Sequence, residues 1–289
     1  MKNYGLNLEK ERSEINDQDW IFGSASSPCF SFIAEKDREL YLPEGEVQRS
    51  DKGDMMDCTT RSPLNILEAK FSYLVSNYVH HDKDFHRENI NWLINNGYVL
   101  QENGRVEFSD AFVAINSGTT PNGNSLKAPL EAIRKQGLVP KALLPLKSQM
   151  TWGEYHDPAR ITSEIRELGK EFARRFTINY DRVYEPVFVE SLKEDFLDVA
   201  GYAWPKPVNG EYPNTEYPPN HAFVAFKNPK YYIFDNYIDS VDGDFIKKLA
   251  SNYNLLDYAY RVFIKTDNDP SKIKRTWGWL IKIINFFKC

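Results

Sequence analysis

The chain has 289 residues, 42% hydrophobic and 14% aromatic, enough to fill the core of a two-lobed domain or of two small domains. Its formal net charge of −5 is modest and spread along the sequence, which excludes the clustered basic face of a nucleic-acid binder. Three scattered cysteines, Cys29, Cys58 and Cys289, make no disulfide framework, and the first residues turn charged before an apolar segment of secretory length can form.

Residues 1–45 are mixed and polar, with isolated apolar pieces such as Trp20-Ile-Phe, and read as an N-terminal arm packed along the surface. From 46 to 178 the periodicity is mostly helical. Leu64, Leu67, Phe71, Leu74, Val75 and Tyr78 recur at three- and four-residue steps, the mark of one buried face on a central helix. Phe85–Gly97 and Asn124–Gly137 read as further helices, and Ile161, Ile165, Leu168, Phe172 and Phe176 carry the pattern onto a charged one.

After Thr177 the pattern changes to short aromatic and β-branched runs: 182–189, 198–204, 221–226, 231–235 and 258–264. The stretch 206–219 between the second and third runs is a loop by composition. Residues 179–265 therefore form a mainly β lobe. The tail, 266–289, is basic and very hydrophobic, with five cations and no acid from Lys272 onward. It is too short in apolar residues to cross a bilayer, and suits a membrane surface, a partner protein or its own domain.

Three blocks carry the chemistry. Gln48 precedes Cys58 at the head of the central apolar helix, Asn220-His221-Ala opens one strand, and Asp235-Asn236 ends the next. A thiol hydrolase needs this set: a nucleophile, an imidazole to take its proton, a group to orient the ring, and a donor for the oxyanion.

The blocks, in their order, resemble those of the papain-like cysteine peptidases, over roughly residues 46–240. Cys58-Thr-Thr-Arg-Ser-Pro-Leu-Asn is similar to that family's cysteine helix, and Asn220-His221-Ala to its Asn-His-Ala strand. Phe234-Asp235-Asn236 resembles the strand that ends in Lys-Asn-Ser-Trp, with Asp235 in the place of the orienting asparagine. The loop Ser117–Asn124 is similar to the family's Asn-Gly-Gly loop. The resemblance implies an α+β, two-lobed fold, helical first and β-rich second, in a divergent bacterial or phage-like member. It implies Cys58, His221 and Asp235 as catalytic residues, Gln48 as oxyanion donor, and Gly123, Asn124 and Asn236 as contacts to a peptide or protein substrate. No metal or cofactor is implied.

The departures are specific. Gln48 stands ten residues ahead of Cys58 (58 − 48), and at the family's own spacing the residue is Lys52, a rival donor. Asp57 beside Cys58 opposes thiolate formation. Pro63 suggests a kinked helix, or one that starts late with Ser62 as its cap. His221 follows Cys58 by 163 residues (221 − 58), more than the roughly 130 to 150 of papain-type enzymes, so an insertion is expected. The absence of cysteine pairs points to a reducing setting, cytoplasmic or within a virus particle. His80, His81 and His86, near Asp82 and Asp84, read as surface charges rather than a metal site. Two alternatives remain beside the peptidase: an inactive papain-like scaffold, and a cell-wall peptide hydrolase or transpeptidase.

Overall fold

The computed structural model describes residues 4–15, 33–77, 84–227, 231–238 and 243–265. The C-terminal tail, Cys29, Cys289 and the side chains of the histidine cluster at 80–86 lie outside the described residues. Among the described residues no helix is long and apolar enough to cross a membrane.

The chain opens with α1 (Leu8–Glu14), capped by the Asn7 side chain, which accepts from the Lys10 N–H at 3.0 Å. After α2 (Arg38–Tyr41), a small hairpin of β1 (Arg49–Ser50) and β2 (Gly53–Asp54) leads into α3 (Cys58–Ser76). Helices α4 (Asp84–Asn95), α5 (Asp110–Ser117), α6 (Lys127–Gln136), α7 (Trp152–Tyr155) and α8 (Ser163–Arg175) complete the helical half. Then come β3 (Thr177–Tyr184), α9 (Phe188–Glu194), β4 (Leu197–Gly201), β5 (His221–Lys227), β6 (Tyr232–Phe234), β7 (Ile246–Lys248) and β8 (Tyr258–Lys265). The strands from β3 onward form one six-stranded antiparallel sheet in the order β3-β8-β4-β5-β6-β7.

Several elements depart from the sequence expectation. The run 182–189 is not one strand: β3 starts earlier and stops at Tyr184, since Pro186 cannot donate to a ladder, and the chain continues into α9. Helix α5 and strand β7 are short and lacked a readable period. Helix α3 begins at Cys58 and runs through Pro63, giving up the one backbone bond that the missing N–H would make. Ser62 is no cap; its hydroxyl donates to Asp198 Oδ1 at 2.6 Å.

Strand β5 is the floor on which the two halves meet. Ala222, Val224 and Phe226 face the same core as Leu64, Leu67 and Phe71 of α3, while Phe223 and Ala225 face Phe188, Leu192 and Leu249 on the other side. Both faces are covered, which is why β5 reads as a continuous apolar run.

Helix α3 was expected to bury one face, yet its polar side is buried as well. Most of the polar groups are matched, while the Thr59 and Thr60 hydroxyls and Arg61 Nη2 have no partner among the described residues. Lys70 pairs with Asp195 at 2.5 Å, Asn65 donates to Asn236 Oδ1 at 2.9 Å, Glu68 accepts from Phe108 N at 2.8 Å and Ser72 from Val106 N at 2.9 Å. Pairing is required here, because an unmatched buried polar group costs about 1–3 kcal/mol. On the apolar side Phe71 meets Phe108, Phe172 and Phe176 at ring-centroid distances of 5.4, 5.5 and 5.1 Å. Phe71→Ala is expected to lower stability by about 3–5 kcal/mol, measured by urea denaturation; a loss under about 1 kcal/mol would show that this cluster does not hold the helical half together.

Candidate active site

The sheet brings His221 and Asp235 together. Val224 pairs with Phe234 across β5 and β6, and that register continued by one residue sets Asp235 opposite Phe223, diagonal to His221 on the same face. His221 Nε2 lies 2.5 Å from Asp235 Oδ1, and both side chains are fully buried. With Nε2–H donated to the carboxylate, Nδ1 is the nitrogen left to take a proton, and it is buried without a hydrogen-bond partner. Asp235 Oδ2 accepts from Trp204 Nε1 at 2.8 Å and pairs with Lys247 Nζ at 3.0 Å. Burial pushes the Asp235 carboxyl up, but His221 and Lys247 outweigh it and hold the group below the ordinary aspartate value.

Cys58 is the first residue of α3, where the helix dipole favours a thiolate. It packs at the start of β5, and the Ala222 N–H points at its sulfur. Burial still pushes the thiol well above the ordinary cysteine value; the Ala222 N–H works against that, while Asp54, Asp57 and Asp235 add to the rise. Asp57 is less of an obstacle than its position suggests. Its carboxylate accepts from Arg61 Nε at 3.0 Å and from the Tyr155 hydroxyl at 2.8 Å. Arg61 also reaches Asp110 at 3.1 Å, so the charge beside the thiol is drawn into a buried ionic cluster.

Between Gln48 and Cys58 the extra residues are the β1–β2 hairpin. Lys52 is exposed at its turn, whereas Gln48 is fully buried. The Gln48 amide is held by Asp54 Oδ1 at 2.9 Å and the Tyr237 hydroxyl at 2.8 Å, and it donates at 3.0 Å to a peptide carbonyl, that of Tyr4.

The start of the arm lies across the site instead of along the surface. Tyr4 N and Leu6 N both donate to Asn220 O, at 3.3 and 3.4 Å. Asn124 N donates to Gly5 O at 2.9 Å and Asn7 N to Asn124 O at 2.8 Å, a parallel pairing of Leu6 with Asn124. Gly123 can approach only because it has no side chain; a Cβ there would stand 2.1 Å from Gly5 O. Gly5, at φ +109°, is equally constrained: a Cβ would stand 2.7 Å from Met56 O and 3.0 Å from Cys58 Sγ. Helix α1 anchors this strap, with Lys10 Nζ 2.5 Å from Asn124 Oδ1 and the buried Glu11 accepting from Leu126 N at 2.5 Å and from Tyr258 at 3.0 Å.

No family model and no curated protein matches the sequence. Solved structures do. A recombinant stem bromelain precursor matches at a TM-score of 0.50 with 12% identity, covering 92% of this chain and 78% of that one. The chain has the fold of the papain-like cysteine proteases. Digestive procathepsin L 3 of Tenebrio molitor larval midgut (TM-score 0.49, 11% identity, 91% and 76% covered) and xylellain, a cysteine protease from Xylella fastidiosa (0.45, 16%, 83% and 92%), are similar at lower scores.

Within this papain-like fold, Gly123 and Asn124 lie against an extended peptide, the chain's own arm. Asn236 does not: its amide accepts from Asn65 and donates to Glu46 O at 2.9 Å, tying β6 to α3. Sequence reasoning missed Tyr4 to Asn7, Trp204, Tyr237 and Lys247. Trp204 sat at the end of a run read as strand, and Lys247 in a strand too short for a period. If the strap shields Cys58, Gly5→Val should displace it and speed iodoacetamide labelling of Cys58 about tenfold or more, equivalent to ~1.4 kcal/mol of lost contact. Because burial holds the thiol neutral, wild-type labelling should keep rising with pH beyond the ordinary cysteine range, and the variant's rise should come at lower pH; identical profiles would show that the strap does not shield the sulfur.

Proposed function

We propose that the chain is a cysteine peptidase that hydrolyses peptide bonds by acyl transfer. The observation that carries this reading is that a peptide carbonyl, Tyr4 O, already rests on the Gln48 amide while the next residue, Gly5, lies against the Cys58 sulfur. An extended main chain resting on the Gln48 amide and the Cys58 sulfur supports a cleft that accepts a peptide substrate.

On this reading His221 Nδ1 takes the Cys58 proton while Nε2–H stays on Asp235, which holds the tautomer and stabilises the imidazolium. The thiolate adds to the substrate carbonyl, and Gln48 Nε2–H and the Cys58 backbone N–H hold the oxyanion. The imidazolium then protonates the departing amine, and water, deprotonated by the same ring, hydrolyses the thioester. Asn124 pairs with the substrate backbone as it now pairs with Leu6. The strap must leave first.

A second reading, a binding scaffold without thiol chemistry, draws on the buried, neutral thiol and the partnerless His221 Nδ1. Gly5 of the strap lies against the Cys58 sulfur, so the two readings separate on the Gly5→Val background. Intact mass after brief treatment with an epoxide or iodoacetamide at neutral pH should show one adduct, abolished by Cys58→Ala and slowed about 10²-fold or more by His221→Ala. Asp235→Ala should retain more activity than Cys58→Ala. Labelling that ignores His221 would favour the scaffold.

A further inference from the structure

Asp235 has a partner that no part of the peptidase reading requires. Lys247, on β7, is buried to 1% of its side-chain surface, and its ammonium pairs with Asp235 Oδ2 at 3.0 Å, donates to Tyr237 O and lies 5.5 Å from the Trp204 ring centroid. A neutral amide at position 235 could orient an imidazole without any counter-ion. A carboxylate in a dry site is held ionised by its hydrogen bonds alone unless a fixed cation stands beside it. His221 supplies a positive charge only while it carries the thiol's proton.

We propose that Lys247 is a positioning residue that keeps Asp235 an ionised acceptor when His221 is neutral, thereby holding Nε2–H on the carboxylate and Nδ1 free toward Cys58. The role rests on the peptidase reading. Without Lys247 the buried Asp235 would take up a proton and could donate to the ring, which reverses the tautomer and disables the base. The groups facing Asp235 are few. His221 comes from β5, Lys247 from β7 and the Trp204 indole from the loop after β4, while the Tyr4, Tyr237 and Tyr253 hydroxyls and the Cys58 thiol lie within electrostatic reach. Of these only Lys247 carries a positive charge that does not come and go with the reaction.

The test measures the rate of iodoacetamide labelling of Cys58 against pH in the full chain, with the strap displaced by Gly5→Val throughout, for that parent (the reference, called wild type below), Lys247→Met, Lys247→Gln, Asp235→Asn and the double variant Asp235→Asn/Lys247→Met. Lys247→Gln keeps a donor for Tyr237 O and guards against misfolding of the Met variant. Removing the cation raises the proton affinity of Asp235, so each Lys247 single variant should label about 10- to 100-fold more slowly near neutral pH, the loss typical when a histidine's outer partner is removed. The rate should recover as pH rises and strips the proton from Asp235, moving the acid limb upward. The double variant should label faster than Lys247→Met and faster than Asp235→Asn, since a neutral amide needs no cation and the lysine no longer lies buried without its carboxylate. Single variants with the wild-type acid limb, or a double variant no faster than Lys247→Met, would overturn the role of Lys247 and leave the peptidase reading standing. Labelling of the Gly5→Val parent that is insensitive to His221→Ala would overturn the peptidase reading and this role together.

Discussion

The burial of α3 against β5 is the constraint on which the rest of the molecule depends. The helix sets Cys58 against the start of β5, the strand that begins with His221, so their packing decides where the thiol sits relative to the imidazole. A helix buried on its polar side as well as its apolar side needs most of its hydrogen-bonding groups matched. Lys70 with Asp195, Ser62 with Asp198, Asn65 with Asn236 and Arg61 with Asp57 and Asp110 supply those matches from elements far apart in sequence. Such pairs add little net stability over apolar substitutes, but breaking one leaves a buried polar or charged group unpaired, which makes them strict about register.

The same low-dielectric setting shapes the site's electrostatics. Cys58 is pushed toward its neutral form by burial, and the strap from Tyr4 to Asn7 contributes to that burial. Asp235 escapes the same fate because His221, Trp204 and Lys247 surround its two oxygens. The contrast between a thiol kept protonated and a carboxyl kept ionised follows from their partners, since both are fully buried.

Much of the fold was legible in the chain because it is carried by period and composition. The helical pattern from Leu64 onward and the apolar runs from His221 and Tyr258 each became the element expected. The elements that escaped are short or interrupted: α5 and β7 span too few residues for a period, and Pro186 lies within a run that otherwise reads as strand. In the candidate site, His221 and Asp235 were visible as the head and end of neighbouring strands, and they meet at 2.5 Å. The Asn236 amide turns to Asn65 and Glu46 O, a direction that its place beside Asp235 in the sequence does not tell.

Sequence alone determined the residue types and their order: one cysteine at the head of an apolar helix, a histidine and a carboxylate on late strands, and a glutamine upstream. These are local properties, set by spacing and side-chain chemistry. Which of Gln48 and Lys52 turns inward depended on the β1–β2 hairpin, which leaves Lys52 in solvent and buries Gln48. That residues near the start of the chain cross the cleft, and that a lysine from β7 reaches Asp235, depended on packing between segments separated by more than a hundred residues and by a strand pairing respectively. Neither leaves a periodic trace, because a single side chain or a four-residue strap makes its contacts in space and not along the chain.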